Sequence, residues 1–98
     1  MRNNYKQSRI AVFSNVQAGK DFFASNGLVI KNLYDLASAF ESMDEYTFSQ
    51  HVNEQKNDFA SWTREVLGQH QLASQLNESK TLHQHHVETL KQIVTLLK

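Results

Sequence analysis

Proline is absent from this 98-residue chain and glycine occurs three times. These are the two strongest chain breakers, so their scarcity favours long helices joined by short connections. A chain of this length is expected to form one domain around one core, without covalent staples. Cysteine is also absent, which removes disulfides and thiolate metal sites and leaves His, Asp and Glu as the available metal ligands. The apolar run Ile10–Phe13 is too short for a signal-peptide core or a membrane span. A cytoplasmic location with no membrane association is the expectation.

Formal charge balances to zero, which gives no global attraction to nucleic acid or acidic lipid. The balance conceals an asymmetry. Residues 1–20 carry Arg2, Lys6, Arg9 and Lys20 with no acid, whereas residues 21–98 carry six basic against ten acidic side chains, so the two segments stand at +4 and −4. Residues 1–20 are therefore read as a basic N-terminal arm that lies across the acidic domain of residues 21–98 or is disordered. Four dispersed cations with little aromatic interleaving are a weak nucleic-acid signal.

Phe22-Phe23-Ala24-Ser25 and Leu28-Val29-Ile30 flank Asn26-Gly27, the pair that most readily takes up the positive φ angles of a type I′ turn. A short β-hairpin at about residues 22–30 follows, with Phe23 facing Ile30 and with Phe23, Leu28 and Ile30 turned toward the helices. Ile10–Phe13 is either a third strand or part of an irregular arm. Asn32, with Asp35 three residues on, caps a first helix along Leu33, Leu36, Ala37, Phe40 and Met43. Asp44 caps a short second helix carrying Phe48 and Val52, which stops near Asn53. Asn57 or Asp58 caps a third, with Phe59, Trp62, Val66 and Thr63 on its buried stripe and Gly68 as a left-handed stop. Leu72, Ala73 and Leu76 define a fourth helix, and residues 79–98 a fifth with Val87, Leu90, Ile93, Val94 and Leu97 on a broad apolar face. The predicted fold is mainly α: a compact bundle of four or five helices carrying a small N-terminal hairpin. Phe48, Phe59, Trp62, Val66 and Leu72 are its predicted core, and the Trp62 indole N–H needs a partner if buried.

The residues His51-Val52-Asn53, Lys56-Asn57-Asp58-Phe59-Ala60, Trp62, Val66 and Leu72-Ala73, together with the upstream Phe23, Gly27, Ile30, Leu33 and Leu36, form a pattern. It resembles the DUF5752-like family of small prokaryotic domains of unknown function, over about residues 22–77. The resemblance leaves the basic arm and the final helix outside. It implies an accessory or interaction role and carries over no catalytic residue.

Two groups of side chains carry chemistry worth weighing. His51, Asn53, Asn57 and Asp58 sit among aromatic residues and are read as a structural polar cluster that fixes a helix crossing, Asp58 accepting backbone N–H groups at a helix start. The catalytic alternative makes His51 a general base oriented by Asp58, with Ser49 or Ser61 as nucleophile. Neither serine lies in an elbow motif and no glycine-rich oxyanion loop is present. In the last helix, with Leu90 as the zero of the wheel, His83 falls near about +20° and His86 near about −40°, while His85 lies about 140° away. Histidines three apart share a metal only when further ligands arrive from elsewhere, so His83 and His86 are candidate metal ligands behind a simpler reading as packed, interfacial histidines. Charging histidines on an apolar seam costs desolvation, so packing is expected to loosen as pH falls through about 6.

The leading expectation for function is a non-enzymatic protein-interaction or accessory module that binds a protein partner or a second copy of itself. Val87, Leu90, Val94 and Leu97 are the candidate partner-binding residues, and the exposed side of the hairpin is a further surface. The alternatives are a histidine-dependent metal-binding or sensing protein and a weak nucleic-acid binder acting through the basic arm. No catalytic residue and no cofactor are predicted.

Overall fold

A computed structural model describes residues 5–98. Arg2 lies outside the described residues, as does the side chain of Lys6, so half of the cations behind the expected basic arm fall beyond them. Along the described chain run α1 (Tyr5–Phe13), β1 (Phe22–Phe23), β2 (Val29–Ile30), α2 (Leu33–Ser42), α3 (Glu45–His51), α4 (Asp58–Glu65), α5 (His70–Glu78) and α6 (Leu82–Leu97). The fold is thus mainly α, with six helices where four or five are expected. The additional one is α1, which corrects the reading of Ile10–Phe13 as a strand or an irregular arm. Its local sequence carries little helical patterning. Val12, however, is fully buried in the core, and α1 packs across α2 and α6. Tertiary burial of this kind stabilises a short helix that would be marginal alone.

The hairpin forms, but one register away from expectation. Phe22 pairs with Ile30 and Phe23 with Val29. Gly27 N–H donates to the Ala24 carbonyl at 2.9 Å and Ala24 N–H to the Leu28 carbonyl at 2.9 Å, which makes Ser25-Asn26-Gly27 a three-residue loop. Positive φ is needed only at Gly27, at 93°, as in a turn closed by a glycine bulge, rather than at both residues of a type I′ turn. Because side chains alternate faces, the slip exchanges the two phenylalanines. Phe22 turns inward and stacks on Phe59, while Phe23 points to solvent at 68% exposure.

Two asparagines join the helices end to end. Asn32 caps α2 by accepting the Asp35 N–H at 2.7 Å, and its amide nitrogen donates to the Phe13 carbonyl at the end of α1 at 3.1 Å. Asn57 repeats the device, accepting the Ala60 N–H at the start of α4 and donating to the Leu76 carbonyl near the end of α5 at 3.1 Å. Each satisfies one orphan donor and one orphan acceptor of two different helices, which a carboxylate cap cannot do because it has no proton to donate. Asp44 caps α3 through the Thr47 N–H, and that bond holds its carboxyl below the ordinary range. Thr81 caps α6, accepting the Gln84 N–H while the Gln84 amide oxygen accepts the Lys80 N–H. Between α4 and α5 the chain turns at Gly68, whose φ of 69° suits only glycine without strain.

The core gathers Leu33, Leu36 and Phe40 from α2, Phe48 from α3, Phe59 from α4 and Leu72 and Leu76 from α5. Of the predicted core residues Phe48, Phe59, Trp62 and Leu72 are buried, and Val66 packs half-buried against them. The Trp62 indole N–H finds its partner in the Lys20 carbonyl at 2.7 Å, tying α4 to the segment before the hairpin.

Candidate functional site

The histidine that the domain buries is His85, which the wheel centred on Leu90 places on the polar side of the last helix. Its side chain is fully buried. Phe48 and Phe40 stand edge-on to its ring at centroid distances of 4.9 and 5.6 Å. Its Nδ1 lies 3.1 Å from the Thr81 carbonyl, which only accepts, so Nδ1 carries the proton and donates. Nε2 then accepts from the Asn57 side-chain amide at 3.0 Å. Asn57 is fully used: its oxygen caps α4 and its nitrogen serves Leu76 and His85. The joint holds α4, α5 and α6 together only while the imidazole is neutral. Burial makes the charged form costly and lowers the His85 pKa to about 4, against a small opposing effect of the Thr81 carbonyl.

His51 also borders the Phe59 ring, 5.2 Å from it between centroids. Its Nε2 accepts the Ser25 N–H at 3.0 Å, which leaves the proton on Nδ1 to be donated to Asp58 Oδ2 at 3.0 Å. The His51–Asp58 pair therefore fastens the hairpin loop to the α3–α4 corner. The lone pair that a general base would use is occupied by a backbone amide, and the Ser49 hydroxyl donates to the Tyr46 carbonyl in its own helix. The helix start at α4 is capped by Asn57 and not by Asp58, whose Oδ2 also accepts from Lys56 Nζ at 3.0 Å. Asn53 lies at the exposed loop tip, accepting the Gln55 N–H and lining a polar cleft of about 430 Å³ with Lys56, Asn77 and Ser79. The predicted polar cluster is thus two structural contacts and a loop tip, with His85 as the member that sequence reasoning missed.

The outward side of α6 differs in kind. The domain buries His85, Thr89 and Ile93 of this helix. At about 100° per residue these centre on Thr89, about 100° from Leu90. The apolar residues run on around the helix from Leu96 to Val87, an arc of roughly 180°. Only half of it is covered. Leu90 and Val94 remain 42% and 55% exposed, and Val87 is half-buried. Leu97, the fourth candidate contact residue, packs partly against the core. Leu90 also borders the groove between α2 and α6 together with Tyr34 and His86, and Tyr34 meets the Phe13 ring at 5.6 Å. The result is one apolar strip from α1 across α2 to α6.

His83 is exposed and His86 half-buried beside this strip. Among the described residues no three His, Asp or Glu side chains gather around a point where a metal ion would sit. No helix among them is long and apolar enough to cross a membrane.

A helical domain with a buried polar joint and an uncovered helical face is the class that these features define. The chain belongs to a family of unknown function, DUF5752, whose model matches residues 37–98. The match starts within α2 and takes in the whole of α6, which the resemblance read from residues 22–77 leaves out, and it does not reach the hairpin. No curated protein and no solved structure matches the chain.

Proposed function

We propose that this protein is a non-enzymatic protein-interaction module that presents the outer half of α6 to a partner. One observation carries the reading: the apolar arc of α6 is about twice as wide as the half that its own domain buries. Val87, Leu90 and Val94 lie together on the uncovered half, and the strip continues through Tyr34 to Phe13. Contiguous exposed apolar surface of this kind marks contact sites more often than isolated apolar residues do. Phe23 and Val29, paired across the hairpin and both exposed, form a smaller second patch. His51, the candidate general base, is committed to structure, as is His85: both ring nitrogens of each are engaged within the fold.

The test is to follow mass by light scattering and partner recovery by co-purification for the wild type and for Leu90→Asp and Val94→Asp. Loss of a partner or of a dimer in folded variants is the expected outcome. Variants that keep the same mass and the same partners remove α6 as the surface.

A further inference from the structure

Resting on the interaction reading above, we infer that the outer half of α6 receives an amphipathic helix whose aliphatic seam is flanked by Asp or Glu. Val87, Leu90 and Val94 follow one another at spacings of three and four, the spacing at which one helix offers a seam to another. They line a shallow groove of about 400 Å³ together with Lys91, Thr95 and Lys98. At about 100° per residue Lys91 falls about 100° from Leu90, and Lys98, just past the end of α6, lines the same groove, on the flank that meets a partner helix's own flanking residues. Both charged residues that line this groove are basic. Lys91 has one carboxylate within reach, the half-buried Glu88 at 3.7 Å, a long pairing on an exposed lysine that contributes little. Lys98 takes part in no ion pair among the described residues.

The same charges decide against a second copy of α6 as the occupant. In an antiparallel pair of identical helices this flank meets itself, which sets Lys91 and Lys98 against lysines. In a parallel pair it meets the opposite rim, where His86 and Glu41 offer one carboxylate between them. A helix carrying Asp or Glu along its flank satisfies both lysines without self-repulsion, and the apolar seam is covered in either direction.

A phage-displayed library of three-heptad helices, with Leu or Val fixed at the seam and Glu, Lys, Gln and Ala randomised at the flanks, provides the test. The baits are the wild type, Leu90→Asp, and the double variant Lys91→Glu/Lys98→Glu, each checked for an unchanged melting curve. Clones recovered on the wild type are expected to be enriched in Glu at the flanks, to lose binding by at least about tenfold on Leu90→Asp, and to be replaced by Lys-flanked clones on the double variant. Clones that depend on Leu90 but show no acidic bias overturn this inference and leave the interaction reading standing. Clones that bind Leu90→Asp as well as the wild type overturn both. An empty selection, joined to a dimer that Leu90→Asp dissociates, assigns the face to a second copy and overturns the acidic helix.

Discussion

The two halves of α6 resemble each other in sequence less than their roles suggest. The buried residues of the inner half are His85, Thr89 and Ile93, two of them polar, with Leu82 and Leu96 packed beside them, whereas the outer half offers Val87, Leu90 and Val94 to solvent. Polarity is affordable inside because every polar group there has a partner: His85 bonds Asn57 and Thr81, and the Thr89 hydroxyl donates to the His85 carbonyl at 2.8 Å. A neutral, hydrogen-bonded histidine packed edge-on to two phenylalanines behaves as a core residue with a directional bond. The outer residues gain nothing comparable within their own domain. Stability is therefore expected to reside on one side of the helix and contact with a partner on the other.

The strongest way to break the contrast is to remove the group that receives the inner half. Asn57→Ala deletes an N-cap and leaves His85 Nε2 buried without a donor, while the Leu76 carbonyl keeps the Ser79 N–H at 3.0 Å, a loss expected at about 2 to 4 kcal/mol in urea unfolding. A loss below about 1 kcal/mol would mean that the three helices are held by apolar packing alone.

Acid probes the same joint without a mutation. The folded His85 has a pKa of about 4, while the unfolded chain titrates near the ordinary value of 6.5, so between these limits the unfolded state holds more protons. The contribution of neutral His85 is complete above about pH 6.5, declines as pH falls, and is gone below about pH 4, a span equivalent to about 3 kcal/mol. The acid limb thus extends well below the pH of about 6 expected for histidines on an apolar seam. Unfolding midpoints between pH 7.5 and 4 give the slope, and His85→Gln is expected to flatten it. An unchanged slope in that variant assigns the titration to another group.

Much of the fold was legible because it is written locally. Asn32, Asp44 and Asn57 each bond a backbone N–H three residues on, a relation visible in the sequence itself. Leu33, Leu36 and Phe40 in α2, Phe59 and Trp62 in α4, and Leu72 and Leu76 in α5 stand at helical spacings that mark an inner face. What was not legible depends on distant contacts. The helix over Ile10–Phe13 rests on Val12 reaching the core between α2 and α6. The hairpin register is set by Phe22 seated on Phe59 and Trp62, which outweighs the preference of Asn26-Gly27 for a two-residue turn. His85 was hidden for a related reason: the centre of an apolar arc coincides with the buried face only when the whole arc is buried. A wheel centred on Leu90 holds only in that case. The missed signal was the run Leu82, His85, Thr89, Ile93 and Leu96, which keeps helical spacing around Thr89 and becomes meaningful once Asn57 is known to face it.

A smaller perturbation sharpens the contrast at adjacent positions. Ile93→Val removes one methylene from the buried side and is expected to cost about 0.5 to 1.5 kcal/mol. Val94→Ala removes more carbon from the next residue and is expected to stay within about 0.5 kcal/mol of the wild type, because that side chain has little packing to lose. Equal costs in denaturant titrations would show that Val94 is packed in solution, either by the domain or by a second copy.

The least change of stability is expected where the largest change of behaviour is sought. Leu90→Asp places a carboxylate on an exposed helix surface, so the monomer should unfold within about 0.5 kcal/mol of the wild type. That near-neutrality gives the variant its value. A charge set into the seam has to be desolvated when a partner helix closes over it, and an uncompensated buried charge opposes association far more than it opposes folding of the free domain. Folding and binding thus respond to the same atom in opposite measure, and the pair of readouts separates a surface residue from a misassigned core residue. A melting temperature that drops together with partner recovery would place Leu90 among the stabilising contacts, and the division of α6 into two halves would fail at its centre.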